Sequence, residues 1–128
     1  MEKIYDFLIV GLGGAAGSMM RYGVTLLFAA LGWPGTFATM SVSIAGSFVI
    51  GCLTACLTDS SALLFLTIGL CGGFTTFSTF SMQSVRLFQD GKFFPLILYV
   101  AGTVVLCIVL ACLGYILGKN YLSERYGV

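Results

Sequence analysis

Apolar residues run along this chain in four long blocks, and polar residues cluster mainly in short gaps between them. The first block extends from about Ile4 to Leu31, interrupted by glycines and by Arg21, and closes on Gly32-Trp33-Pro34-Gly35, a turn signal. The second covers Phe37 to Leu57 and stops at Thr58-Asp59-Ser60. The third covers Ala62 to Phe88, and the fourth runs from Phe93 to Gly118, after the charged turn Gln89-Asp90-Gly91-Lys92. Each block reaches the roughly 20 mainly apolar residues that cross a bilayer as a helix. The pattern predicts an all-α integral membrane protein with transmembrane helices over residues 4–31, 37–57, 62–88 and 93–118. The loops are short, so residues 1–128 form one membrane domain.

Composition agrees. The 128 residues are 59% hydrophobic and 9% charged, against roughly 25% charged in soluble domains. A water-soluble monomer of this size could not hide so much apolar surface. The net charge is +1 and there is no basic block, which argues against a nucleic-acid partner. Histidine is absent, removing imidazole metal sites and the usual general base. Cys52, Cys56, Cys71, Cys107 and Cys112 all lie in apolar stretches without a CxxC pair, and read as soft packing residues. The N-terminal charges Glu2, Lys3 and Asp6 are mixed and the following apolar run is long, unlike a signal peptide.

Four spans put both termini and the Asp59 loop on one side of the membrane. Lys3, Lys119 and Arg125 fall there, and Lys92, joined at most by Arg86, falls opposite. So weak a bias under the positive-inside rule is compatible with insertion in both orientations. Gly13 and Gly17, Gly51 and Ala55, and Gly114 and Gly118 are each four residues apart, giving helix faces that a neighbouring backbone can approach. The segment Asp6-Phe-Leu-Ile-Val10 with Gly11-Leu-Gly13-Gly-Ala-Ala16 mimics a dinucleotide-binding turn. That fingerprint needs an acid about 20 residues on, and the next acid is Asp59.

Chemistry concentrates in the third span, at Gly72-Gly73-Phe74-Thr75-Thr76-Phe77-Ser78-Thr79-Phe80-Ser81. Paired glycines followed by five hydroxyl residues in seven positions make a poor uninterrupted helix, and predict a broken third helix. In lipid, non-helical backbone persists only where protein or a polar cavity surrounds it, and membrane transport proteins use such breaks to bind ions. The competing reading is a kink whose hydroxyls bond back to carbonyls. Arg21 lies within the first span, which suggests either a pathway or buried partner or a snorkelling side chain. Tyr99, Thr103 and Cys107 recur every four residues along one face of the fourth span. No carboxylate lies between Asp6 and Asp59 or between Asp59 and Asp90, which fits an anion path better than proton-coupled cation export. Nor can paired carboxylates or an activated nucleophile be assembled, so the chain does not read as an enzyme.

The string Gly72-Gly-Phe-Thr-Thr-Phe-Ser-Thr-Phe-Ser81 closely resembles the signature of the Fluc (CrcB) fluoride-channel family, and Gly13-Gly-Ala-Ala-Gly-Ser-Met-Met-Arg-Tyr22 resembles its first-helix motif. The resemblance implies an antiparallel, dual-topology homodimer in the cell's inner (plasma) membrane that exports fluoride passively through two pores. It also implies a structural sodium ion at the dimer centre, held by backbone carbonyls of Gly72 and Thr75. Phe77 and Phe80 match the family's pore-lining phenylalanines, whose ring edges carry partial positive charge. Tyr99, Thr103 and Cys107 match its polar track, Arg21 its first-helix arginine, and Thr39 a second-helix threonine near the pore. Three positions depart from the pattern: Ser43 stands where asparagine is usual, Gln83 where glutamate is usual, and Cys107 where serine is common. Two alternatives remain, a small dual-topology cation or drug exporter and a non-conducting subunit of a heterodimeric fluoride channel.

Overall fold

The computed structural model describes residues 2–56, 60–75 and 77–126. The predicted stop at Thr58-Asp59, and Thr76 within the third-span motif, lie outside them. The described residues form only helices: α1 (Glu2–Ala30), α2 (Gly35–Cys56), α3 (Ser60–Leu63), a π-helix (Leu64–Cys71), α4 (Gly72–Phe74), α5 (Phe77–Gln89) and α6 (Phe93–Tyr126). Among the described residues, four stretches are long and apolar enough to cross a membrane: Lys3–Ala30, Gly35–Cys56, Ser61–Gln89 and Phe93–Glu124. The last helix continues past Gly118, where the apolar block ends, because Lys119 to Tyr126 sustain helical geometry in more polar composition.

Helix ends follow local chemistry. Gly32 and Gly91 adopt left-handed φ values of 77° and 72°, which cost a residue with a Cβ but not glycine. At the end of α1, Gly32 N–H bonds to the Ala29 carbonyl and Trp33 N–H to the Phe28 carbonyl. At the end of α5, Gly91 and Lys92 bond likewise to Phe88 and Leu87. Both are Schellman-type caps that satisfy the last carbonyls.

The outer surface is apolar, with Phe7, Met19 and Phe94 all more than 70% exposed. Hydrocarbon solvates such a surface and water does not. The chain is therefore a multi-pass membrane protein. Inside the bundle, α1 packs along the third span and α2 packs along α6. Gly13 meets the Phe65 carbonyl and Gly17 the Leu70 carbonyl, while Gly73 meets Gly14. On the other seam Gly51 faces the Ala111 carbonyl, Gly114 the Phe48 carbonyl, and Gly118 the Ala55 side chain. Contacts advance in the same sense along both members of each pair, so alternate spans run parallel. Close backbone approach through small residues is how membrane helices gain van der Waals contact where no hydrophobic force separates lipid from protein.

Candidate functional site

Three of the spans converge on a groove of about 890 Å³. From α2 it takes Ser43, Ser47 and Thr54, from the third span Thr67, Cys71, Gly72, Thr75, Phe77 and Phe80, and from α6 Thr103 and Cys107. No acidic or basic side chain lines it among the described residues. Polar groups arrive as hydroxyls and thiols at one-turn spacing (Ser43 and Ser47, Thr67, Cys71 and Thr75, Thr103 and Cys107), a spacing that keeps them on one helix face.

The third span owes its shape to its composition. Through the π-helix the wider winding shifts the register of side chains, a distortion frequent at functional sites. The Thr67 hydroxyl bonds to the Leu63 carbonyl. Thr75 leaves helical geometry, with φ −88° and ψ 155°. Its N–H and its hydroxyl both donate to the Cys71 carbonyl at 2.9 Å, while ψ turns its own carbonyl away from the helical direction. Gly46 on α2 makes room for this turn, since a Cβ there would overlap Thr75 Cγ2.

Phe77 and Phe80 lie one behind the other, with ring centroids 5.4 Å apart, and Phe80 packs on Tyr99 at 5.1 Å. Phe80 is buried, whereas Phe77 is 75% exposed. Tyr99 donates a 2.7 Å hydrogen bond to Gln83 Oε1. The Gln83 amide nitrogen approaches Gly35 at the start of α2, and Thr39 donates to the Gly35 carbonyl at 3.3 Å. Thr103 is 5% exposed and its hydroxyl has no partner. A buried unpaired hydroxyl costs about 1–3 kcal/mol, and Thr103 is one of the residues that line the groove.

The expected residues thus separate into three places. Ser43, Gly72, Thr75, Phe77, Phe80, Thr103 and Cys107 share the groove. Thr39 and Tyr99 are buried outside it, Thr39 bonded to the Gly35 carbonyl and Tyr99 packed on Phe80 and bonded to Gln83. Arg21 is elsewhere: its Nε donates to the Gly73 carbonyl at 3.3 Å, from the α1 side of the third span. That contact supports the backbone at the double glycine and does not enter the groove. Ser47, Thr54, Thr67 and Cys71 were not singled out from sequence. The one-turn spacing to Ser43 and Thr75 was the available signal for Ser47 and Cys71.

A bundle of four spans, three of which line an uncharged groove of hydroxyls, thiols and phenyl rings, defines a small multi-pass membrane transport protein. The family model described as CrcB-like protein, Camphor Resistance (CrcB) matches residues 8–115, and the chain belongs to that family. Curated relatives carry the name fluoride-specific ion channel FluC. One from Chlorobaculum tepidum is 46% identical over 123 residues, covering 89% of this chain and 94% of its own. One from Chlorobium luteolum is 44% identical over 121 residues, covering 89% and 92%. A third, from Thermus thermophilus, is 44% identical over 118 residues, covering 88% and 94%. The family is one of ion channels, not of enzymes.

Proposed function

We propose that this chain is a fluoride-specific channel of the cell's inner (plasma) membrane, passing fluoride down its gradient through two pores of an antiparallel, dual-topology homodimer. The observation that carries the reading is the groove itself, which joins Ser43, Thr103 and Cys107 to the Phe77–Phe80 pair with no carboxylate among its described lining residues. Hydroxyl donors and ring edges replace part of the hydration of a small anion, and a carboxylate would repel it. The names of the relatives point the same way.

Exposed Phe77 and Ile68 at the groove supply an apolar surface that a second copy would cover. The break at Thr75 would set carbonyls of Gly72 and Thr75 toward such a partner. The fit to sodium is chemical: carbonyl oxygens are the hard ligands that hard cations prefer, and Thr75 has left helical geometry. Two carbonyls from each copy would hold the ion, whose part would be to join the copies at their centre.

Fluoride efflux from liposomes loaded with fluoride and reconstituted with the purified chain tests the reading. Efflux with chloride retained is expected. Retention of fluoride by folded, reconstituted dimer would overturn the homodimeric channel, and recovery on adding a second, related chain would instead identify a heterodimer subunit. Proton-coupled cation export in place of fluoride efflux would identify the exporter.

A further inference from the structure

The α2–α6 seam ends on two thiols that the groove does not use. Cys52 and Cys56 are one helical turn apart on α2, both half-buried. Cys56 Sγ donates to the Gly118 carbonyl at 3.5 Å. The Cys52 carbonyl lies 2.9 Å, and Cys56 Sγ 3.1 Å, from where a Gly118 Cβ would stand. The absence of a side chain at Gly118 therefore lets α6 pack directly against the pair. Cys56 is the last described residue of a stretch long and apolar enough to cross a membrane.

We propose that Cys52 and Cys56 form a binding site for a soft, thiophilic divalent cation that accepts two ligands in a line. Residues four apart on a helix carry Cβ atoms about 5–6 Å apart, whereas a disulfide needs Cβ atoms about 3.5–4.5 Å apart. The pair cannot close on itself without bending α2, but an ion between the two sulfurs spans the gap. Softness selects the ion class, because thiolates prefer soft metals. Ligand count selects the geometry, because no group of three or more His, Cys, Asp or Glu side chains that could complete a tetrahedral shell occurs among the described residues. Charge selects the oxidation state. A divalent ion displaces both thiol protons to water and leaves a neutral bis-thiolate, while a monovalent ion would leave an anion on an apolar, membrane-crossing stretch, where charge is costly. Binding breaks the Cys56–Gly118 hydrogen bond and replaces it by two metal–sulfur bonds.

Mercuric ion is the probe. The purified chain in detergent, treated with one equivalent of Hg²⁺ and then with excess N-acetylcysteine, is read by intact mass. Chelation raises the effective concentration of the second thiol, so the ion should survive the competitor in the unaltered chain and in Cys112→Ser. Cys52→Ser and Cys56→Ser should each lose it. In the unaltered chain, Hg²⁺ should also protect Cys52 and Cys56 together from maleimide, a readout that does not depend on how the variants fold. Complete stripping from the unaltered chain, retention in the Cys52→Ser, Cys56→Ser double variant, or maleimide labelling at both sites despite bound mercury would overturn the site.

Discussion

Tyr99 donates a 2.7 Å hydrogen bond to Gln83 Oε1 across the gap between α6 and α5. The bond locks the phenol against Phe80 and ties the two helices together below the groove. Gln83→Leu should leave the phenol without its acceptor and lower stability by about 1 kcal/mol. Gln83→Glu keeps an acceptor at the same reach and should preserve the tie. Denaturation midpoints in detergent check both, and equal losses in the two variants would contradict this role.

Gly46 and Gly11 should respond oppositely to alanine. A methyl at Gly46 overlaps Thr75 Cγ2, whereas nothing lies within 4 Å of the Gly11 position. Gly46→Ala is expected to cost roughly 1–3 kcal/mol through overpacking and to displace the Thr75 turn. Gly11→Ala should be neutral or stabilising by up to about 1 kcal/mol, from helix propensity. Thermal unfolding of the two variants provides the comparison.

Thr103→Val should separate stability from conduction. The hydroxyl is buried and unpartnered, so replacing it by a methyl of similar shape removes a penalty of about 1–3 kcal/mol. The same change removes a donor from the groove. A more stable protein with slower fluoride efflux is expected. Faster efflux would show that the hydroxyl obstructs the ion.

Phe77→Ile and Phe80→Ile both remove a ring edge from the proposed path, and both should reduce fluoride flux. Their structural costs differ. Phe80 is buried against Tyr99, while Phe77 is exposed, so only Phe80→Ile should destabilise the isolated chain. Unchanged flux in both variants would leave the rings as packing residues.

Ser43→Asn should speed conduction. Ser43 lines the groove and offers one donor on a short arm, where an asparagine amide offers two donors and an acceptor on a longer one. Hydrogen bonds to charged groups are worth roughly 1.5–3 kcal/mol, and about 1.4 kcal/mol is tenfold. The rise could reach one to two orders of magnitude, and would be smaller where water fills the space left by serine. Efflux at matched protein density is the measurement. Equal or slower flux would show that the amide does not reach the ion.

The four spans were legible in sequence because burial in lipid needs only length and apolarity, and both are local. The seams were legible in part, since Gly13, Gly17, Gly51, Gly114 and Gly118 advertise close approach at one-turn spacing. Which helix each face would meet was not. That choice pairs α1 with the third span and α2 with α6, and it depends on how four helices close around one another. The motif at Gly72–Ser81 marked the third span as chemically unusual, but its π-helical winding through Leu64–Cys71 has no signature in residue type.

Site membership divided along the same line. Periodicity placed Tyr99, Thr103 and Cys107 on one face of α6, yet packing sent Tyr99 behind Phe80 to Gln83 and put Thr103 and Cys107 into the groove. Charge inside the first span marked Arg21, yet its contact is the Gly73 backbone on the far side of the third span. The chain by itself determined which residues can live in lipid and which of them carry donors. Only tertiary structure decided which donors face a common space, because one helix sets the direction of its side chains but not the surface they meet.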